Sequence, residues 1–392
     1  SYVFSDAGMD ASWVSVQAIG SDGAIGRRAY AIHKPHGTMN CINHDLVLES
    51  VPSAEWMVYH TCNDLTDFAV EVLVRNIGGD ANEALHVGYS LDGSTPVTEP
   101  VGIMLQPDSS FAHRFVQKIN ISQPGKYQLK TWVYSDTDQK RTNDTLTMVI
   151  RVIDSEAIQP NPWYIETFDD FERCMAWPTC EQYSCVLESG WINLNNNEED
   201  EIDWRTYGGS TPTAGAGPAV DHTTGTAAGN YLYLESRIMC FNREAILLSP
   251  CFDLTLAESA SFSFWYHMYG LNTGRLHVDA YDGESIYYNI IPPLSGNRGD
   301  EWQQVSLPLD EFLGSKINFR FRGITGPGQL CNIALDDVEI SMIVGTGNIH
   351  TNDFGISIYP NPSTGLFVLS VKDPVPGKLR ISISDIMGKV VY

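Results

Sequence analysis

The chain has 392 residues, which is enough for two to three domains with separate hydrophobic cores. Charged residues make up only 18%, while 33 glycines, 18 tyrosines and 9 tryptophans favour all-β sandwiches joined by turns. The formal net charge of −24 argues against nucleic acid and anionic lipid as partners. No apolar run reaches the ~18 residues of a membrane span, so we expect no transmembrane segment.

Residues 1–36 are predicted to form one β-hairpin, with strands at 13–19 and 27–32 and a turn at 20–23. This hairpin resembles the last two strands of a fibronectin type III domain. Because a lone hairpin is only marginally stable, we expect the chain to be the downstream part of a longer polypeptide. The alternative is an N-terminal extension that packs on its neighbour.

Residues 41–155 are predicted to form a second β unit. Its expected strands alternate apolar and polar residues between turn signals, at 68–75, 85–90, 125–134 and 146–152. The run 70–78, followed by 89–93, resembles the CARDB-type immunoglobulin-like domain of bacterial surface proteins. Cys41 and Cys62 lie near the start of this unit, and we expect them to pair.

Thr145 is a predicted modification site. Asp144-Thr145-Leu146 resembles the Asp-Thr-aliphatic site at which exported Bacteroidetes proteins are O-glycosylated. In a eukaryote, Asn143 and Thr145 would instead form an N-glycosylation signal. The structural alternative is a polar turn before a strand.

The region 162–343 contains five blocks in a characteristic order. A Gly-Pro turn segment, two strand-like segments, an acidic turn with tryptophan and a closing strand occupy 217–223, 231–235, 261–270, 300–303 and 333–338. These blocks resemble the MAM domain, an extracellular jelly-roll module of adhesion receptors and secreted proteases. The resemblance implies a jelly roll for this region.

The eight cysteines contain no Cys-x-x-Cys pair, and an even number in an exported chain predicts disulfides: Cys41, Cys62, Cys174, Cys180, Cys185, Cys240, Cys251 and Cys331. The MAM resemblance implies one short bridge, from Cys174 to Cys180 or Cys185. It also implies one long bridge, from Cys251 or Cys240 to Cys331.

Acidic residues of the MAM-like region are candidate calcium ligands. Carboxylates from the first strand, a long loop and the last strand can meet at one edge of a jelly roll, and such hard oxygen ligands suit Ca²⁺. The candidates are Glu172, Asp203 and Asp337, with Asp169 and Asp336 as alternates. The alternative is that the aspartates accept backbone N–H bonds.

No catalytic motif is found: the chain has no His-Glu-x-x-His, no Gly-x-Ser-x-Gly and no glycine-rich phosphate loop. We therefore interpret His222 as a turn residue and His267 as a packed residue of an aromatic strand. Four rings of that strand could form a sugar-stacking platform, although a core role is commoner: Phe264, Trp265, Tyr266 and Tyr269. The Arg-Gly-Asp tripeptide at 298–300 is assigned no function.

After a linker at 344–354, the tail 355–392 carries Tyr-Pro-Asn-Pro-x-x-Gly and Asp-x-x-Gly-Lys-x-Val. It resembles the type A sorting domain of the Bacteroidetes type IX secretion system, without the closing strands of that family. The matching residues are Tyr359, Pro360, Asn361, Pro362, Gly365, Asp385, Gly388 and Lys389. The resemblance implies recognition by the type IX translocon and an outer-membrane shuttle protein, and a secreted or cell-surface location.

Together these patterns predict tandem β-sandwich modules that form a non-catalytic adhesion or ligand-binding region exported by type IX secretion. The expected ligand is a glycan or a protein. The alternative is the accessory C-terminal region of a secreted subtilisin-like or metallo-peptidase, with a catalytic domain upstream of Ser1.

Overall fold

The computed structural model describes residues 42–174, 185–236 and 240–344 in full, and the backbone alone of four further strands. In this part of the chain there is no α-helix, which confirms the predicted all-β class. Three short 3-10 helices occur, at Pro52–Ala54, Arg141–Asn143 and Asp310–Phe312. None of the described helical segments has the length and apolar character needed to cross a membrane.

Two hairpins lie outside the main body. Strands β1 (Trp13–Ile19) and β2 (Ile25–Ile32) pair antiparallel, as the alternation of their residues predicts. The tail contributes a hairpin that pairs Ile356–Tyr359 with Val368–Val371. Of the predicted sorting-signal residues only Tyr359 lies in a described strand, and the other seven lie outside the described residues.

The first β unit is a sandwich of eight strands: β3 (Leu46–Ser50), β4 (Val58–His60), β5 (Glu71–Asn76), β6 (Leu85–Leu91), β7 (Val97–Val101), β8 (Ser110–Arg114), β9 (Gly125–Tyr134) and β10 (Thr145–Ile153). One sheet has the order β3-β5-β8 and the other β4-β10-β9-β6-β7. Inward residues such as Val72 and Val74 alternate with half-buried ones along β5, because successive side chains of a strand point to opposite faces.

The second β unit contains thirteen strands: β11 (Trp163–Glu166), β12 (Ile192–Asn193), β13 (Arg205–Tyr207), β14 (Tyr231–Glu235), β15 (Glu244–Leu248), β16 (Phe252–Asp253), β17 (Ala257–Tyr269), β18 (Arg275–Tyr281), β19 (Ile286–Tyr287), β20 (Leu294–Ser295), β21 (Gln303–Pro308), β22 (Lys316–Ile324) and β23 (Asn332–Val344). One sheet runs β13-β14-β23-β17-β21, with β11 also on β23. The other runs β12-β15-β22-β18-β19, with β16 on β22 and β20 on β18.

Aromatic residues fill the space between these two sheets. Phe262 of β17 stacks on Phe319 of β22 with ring centroids 4.0 Å apart, and Phe264 meets Phe321 edge-on at 5.2 Å. All four rings are fully buried. Burying a large aromatic side chain contributes about 1.5–3 kcal/mol, so this ring layer holds the two sheets face to face.

The two β units share a tightly packed junction. Cys62 of the first unit is bonded to Cys251 of the second. Arg320 lies over the Trp56 ring at 4.4 Å and donates to Glu55 O at 3.1 Å. Side chains of the second unit, including Ile246, Leu248 and Tyr281, extend the core of the first. The junction therefore makes the described residues of the two units, 42–174, 185–236 and 240–344, one continuous packed body.

The observed cysteine pairing corrects two predictions. Cys62 is bonded to Cys251, so the expected Cys41–Cys62 pair does not form. The expected long bridge to Cys331 is also wrong, because Cys331 keeps a buried free thiol whose sulfur accepts the N–H of Gly326 at 3.1 Å. Cys174 is bonded to Cys185, one of the two short bridges expected, and Cys240 is disulfide-bonded as well.

Candidate functional site

A β-bulge in β23 positions a polar cluster of the second unit. Ser263 of β17 is opposite Glu339, but Trp265 is opposite Asp336, so β23 has one residue more than β17 between these pairs. The backbone of Asp337 accommodates the extra residue by adopting a φ of +44°. Successive strand residues normally point to opposite faces, and a bulge re-aims them. Both Asp336 and Asp337 thereby reach the same loop.

The loop at 208–230 is held on the sheet by these two carboxylates. Asp336 Oδ2 accepts the backbone N–H of His222 at 2.7 Å, and Asp337 Oδ1 accepts the Thr223 hydroxyl at 2.6 Å. The Nδ1 atom of His222 lies 2.5 Å from Asp337 Oδ2. The loop is thus bound through its backbone and its side chains at once.

The ring of His222 is packed as well as hydrogen-bonded. It stacks on Trp265 with centroids 3.7 Å apart and an interplanar angle of 18°, and it meets Trp302 edge-on at 6.1 Å. Trp302 in turn donates its Nε1–H to Val220 O at 3.1 Å. We call His222, Trp265, Trp302, Asp336 and Asp337 the His222 cluster.

Asp221 orders the loop from within. Its carboxylate accepts the N–H of Thr224 at 2.6 Å and the N–H of Thr226 at 2.9 Å. A Cβ at Gly229 would lie 2.2 Å from Asp221 Oδ2, so this close approach requires glycine. The Gly-Pro…Asp-His-Thr segment is therefore a turn that its own side chains fold, as the interpretation of His222 as a turn residue predicts.

Burial shifts the pKa values of Asp336 and His267 on the sheet face beneath the loop. Asp336 is completely buried, which raises its pKa to about 8, and the neighbouring Asp337 carboxylate adds to the shift. Burial lowers the pKa of His267 to about 4, against the opposing effect of Asp300, whose Oδ1 lies 3.3 Å from His267 Nε2. His267 is packed in an aromatic strand, where the sequence places it.

The contacts of the His222 cluster are those of a structural group and not of a catalytic one. The imidazole contacts the Asp337 carboxylate, stacks on the Trp265 indole and meets Trp302 edge-on, and none of these contacts is a serine or cysteine nucleophile. A histidine base needs such a partner, or a bound water, to begin acyl transfer. The arrangement anchors the loop on the sheet.

The five predicted calcium ligands are not brought together. Asp203 Oδ2 accepts the N–H of Cys185 at 2.5 Å, Asp169 Oδ1 accepts the N–H of Asn230 at 2.8 Å, and Glu172 is exposed. Asp336 and Asp337 bind the loop instead. Among the residues that the structure describes, no three His, Cys, Asp or Glu side chains are arranged to hold a metal ion. The residues do not fit one shared Ca²⁺ site, and calcium binding stays a prediction.

The predicted sugar-stacking strand is divided between the core and the loop. Phe264 and Tyr266 are buried between the sheets, and Trp265 lies under His222. Tyr269 lines a cavity of about 390 Å³ beside the 210–219 segment, together with Asp300 of the Arg-Gly-Asp tripeptide. The strand does not form an open aromatic platform.

Sequence reasoning missed the charged centre of the junction. Asp279 is fully buried and accepts from Arg320 at 2.9 Å and from Arg322 at 2.6 Å. These contacts hold the pKa of Asp279 below its usual range against the opposing effect of burial. The signal in the sequence was Arg-x-Arg on an otherwise apolar strand, because buried arginines need an acidic partner.

Comparison with known families identifies two parts of the chain. Residues 179–343 match the family model "MAM domain, meprin/A5/mu", and residues 357–392 match "Secretion system C-terminal sorting domain". The chain therefore carries a MAM domain and a type IX sorting domain, and it is a secreted or cell-surface protein. The CARDB and fibronectin resemblances stay predictions.

Curated relatives that carry a MAM domain match part of the chain. MAM domain-containing glycosylphosphatidylinositol anchor protein 2 of Homo sapiens is 33% identical over 178 residues, and protein 1 of Gallus gallus is 34% identical over 172. Each match covers 42% of this chain, and the chain spans only 18% of either relative.

Solved structures show weaker likeness. The K1 cleaved adhesin domain of Lys-gingipain from Porphyromonas gingivalis W83 is 18% identical, with a TM-score of 0.29, and covers 46% of this chain and 98% of its own. The CARDB domain of the PF1109 protein from Pyrococcus furiosus is 20% identical, with a TM-score of 0.23. This match covers 31% of this chain and 98% of the CARDB structure. At these values neither likeness bears on function.

Proposed function

We propose that this chain, with its MAM domain and type IX sorting domain, is a non-catalytic binding region that works outside the cell. Its two β units at 42–344 form a rigid support that presents ligand-binding surfaces. The ligand is a glycan or a protein of the surroundings, and the biological role is adhesion.

The observation that carries this proposal is the junction between the two units. The Cys62–Cys251 disulfide and the stack of Arg320 on Trp56 fix one sandwich against the other. A binding protein benefits from such rigidity, because a preorganised surface loses less conformational entropy when it binds. Enzymes that close on a substrate instead need elements that can move.

The chemistry of the His222 cluster supports the non-catalytic reading. The His222–Asp337 pair on the loop-covered face is stacked on Trp265 and engaged by the loop that it anchors. Charged groups at the junction are likewise bonded to one another, as Asp279 is to Arg320 and Arg322. These groups stabilise the fold, and neither the His222 cluster nor the junction leaves one of these charged pairs exposed.

Binding without turnover tests the proposal. The purified full chain is applied to immobilised collagen, mucin and serum albumin, and the same sample is incubated with casein and a peptide panel. We expect saturable retention on collagen or mucin, none on albumin, and no cleavage. Hydrolysis of any substrate by the pure chain, or equal retention on all three surfaces, would contradict the proposal. The peptidase alternative concerns a domain outside this chain and stays a prediction.

A further inference from the structure

The outer face of the five-stranded sheet carries a cavity of about 480 Å³ that, of the predicted sites, includes only the predicted modification site Thr145 in its lining. We call it the outer-face cavity; its walls include His86, Trp132, Tyr134, Arg141 and Asp144. Its size is within the range of small-ligand sites, and two of its walls are aromatic. It lies in the first β unit, away from the MAM domain.

Strand pairing builds the floor of the outer-face cavity. Trp132 of β9 is directly opposite Gly88 of β6 on one side and Thr145 of β10 on the other. A Cβ at Gly88 would lie 2.4 Å from the indole carbons of Trp132, so the indole lies flat on the bare glycine backbone. The flat indole leaves its other face directed away from the sheet.

Tyr134 and His86 continue the aromatic wall one step along the same face. They are cross-strand partners with ring centroids 6.4 Å apart. The guanidinium of Arg141 lies 4.6 Å from the Tyr134 centroid, and Arg141 also donates to Ser135 O at 3.0 Å. This wall is held in place before any ligand arrives.

Two residues that line the cavity each have a buried polar atom with no hydrogen-bond partner in the part of the chain that the structure describes, namely Asp144 Oδ1 and His86 Nδ1. Asp144 is only 5% exposed. Leaving a buried acceptor unsatisfied costs roughly 1–3 kcal/mol. A ligand that places hydroxyl groups beside these two atoms would recover that free energy.

We propose that the outer-face cavity binds a pyranose ring of a saccharide, stacked on Trp132 and hydrogen-bonded through its hydroxyls to Asp144 and His86. A pyranose has both an apolar C–H face and a rim of hydroxyls, which matches one flat indole with polar atoms around it. An extended peptide fits less well, because β6 is already paired with β7 and β9 and offers no free edge. The inference rests on the proposed binding function and names its ligand class.

The sugar could come from two sources. One is a glycan of the surroundings, and the other is a glycan attached to Thr145, which is exposed and lines the same cavity. The full chain made in a host that leaves Thr145 unmodified isolates the first source. The chain exported by its own cells, analysed by glycopeptide mass across Thr145, reports the second.

The test measures saccharide binding on a glycan array and by tryptophan fluorescence titration. We expect the unmodified chain to retain at least one neutral pyranose-containing glycan, with affinity reduced about tenfold or more by Trp132→Ala and by Asp144→Asn. Gly88→Ala should weaken binding similarly, because it displaces the indole while Trp132 remains. Trp163→Ala, which removes an exposed tryptophan of the other unit, should change affinity less than about twofold.

The proposal also stands if free sugars fail to bind but the exported chain carries a glycan on Thr145 that shields Trp132 from fluorescence quenching. It is overturned if neither source is found, or if well-folded Trp132→Ala binds sugar as the parent does. Failure here is distinguishable from failure of the adhesive function. Trp132→Ala would then still be retained on collagen or mucin, whereas loss of the adhesive function abolishes that retention in the parent chain.

Discussion

Arg320 and Trp56 belong to different β units, and the guanidinium carbon of Arg320 lies 4.4 Å from the centre of the Trp56 ring. The same guanidinium is hydrogen-bonded to Asp279, which is fully buried. One side chain therefore couples the packing between the units to the ionic centre of the MAM region.

Replacing Arg320 should destabilise both units together. Arg320→Met leaves the buried carboxylate of Asp279 with Arg322 as its remaining cation, and breaking a buried ion pair typically costs about 3–5 kcal/mol. We expect a loss of about 3 kcal/mol in the free energy of unfolding, measured by urea denaturation. Arg75→Met is the matched control, because its ion pairs with Glu49 and Asp108 are partly or fully solvent-exposed and worth at most about 1 kcal/mol. Equal effects of the two changes would contradict this account.

The disulfide between the units should stabilise the body more than the short one does. Cys62–Cys251 closes a separation of 189 residues and Cys174–Cys185 a separation of 11. Loop-closure entropy assigns about 5 kcal/mol to the first and about 3 kcal/mol to the second. Calorimetry of the paired Cys→Ser variants checks the order. A larger loss of stability on removal of Cys174–Cys185 would show that loop-closure entropy is not the main source of the stabilisation.

Alkaline pH should destabilise the protein through Asp200. Burial raises its pKa to about 8, with Asp203 and Glu199 adding to the shift and the N–H of Ile246 opposing it. The folded state therefore holds a proton that the unfolded state loses near pH 4, so stability is full below that pH and falls as pH rises towards 8. Asp200→Asn should remove part of this slope and be more stable than the parent at pH 9, by on the order of 2 kcal/mol.

Urea denaturation at pH 4 and pH 9 measures the effect at Asp200. The exposed Asp310 supplies the control variant Asp310→Asn, for which we expect the parent's pH profile. An unchanged slope in Asp200→Asn would assign the pH dependence to other buried carboxyl groups.

Loss of the His222 side chain should release the loop at 208–230. His222→Ala removes the contact to Asp337 and the stack on Trp265, together worth about 1–2 kcal/mol. We expect faster amide hydrogen exchange in the loop and unchanged exchange in β17, read by mass spectrometry. His113→Ala, which removes a histidine–Glu99 pair of the other unit, should leave the loop protected.

Removal of the tail should block export of the protein to the cell surface. Deleting residues 357–392 takes away the part that matches the sorting domain, so we expect the protein to accumulate in the periplasm. Cell fractionation followed by surface proteolysis of intact cells measures this. Surface display of the deleted chain would refute the assigned export route.

Much of the fold could be predicted from local signals. The strand Gly125–Tyr134 was expected with the same bounds, and Asp92-Gly93, an Asp-Gly turn signal, forms a turn with φ of +49° and +70°. Strand β4 was missed, because Val58–His60 is short, buried throughout and paired in parallel with β10, so it shows no alternation.

The site could be predicted only in part. His222 was recognised as a turn residue because turn chemistry is local. The bulge at Asp337 depends on the register of two distant strands, so its redirection of the carboxylates towards the loop left no trace in the sequence. Cysteine pairing is equally non-local, since Cys62 and Cys251 are 189 residues apart and belong to different units.

The Cys62–Cys251 bond also decides how the body carries mechanical load. Tension between residues 42 and 344 runs along the backbone to Cys62, crosses the bond to Cys251 and continues from there. The intervening backbone, which includes six of the eight strands of the first sandwich (β5–β10) and five of the thirteen of the second (β11–β15), is shielded from the pull. Only reduction would expose it, and unfolding of the 189 residues freed in this way would lengthen the tether by about 65 nm.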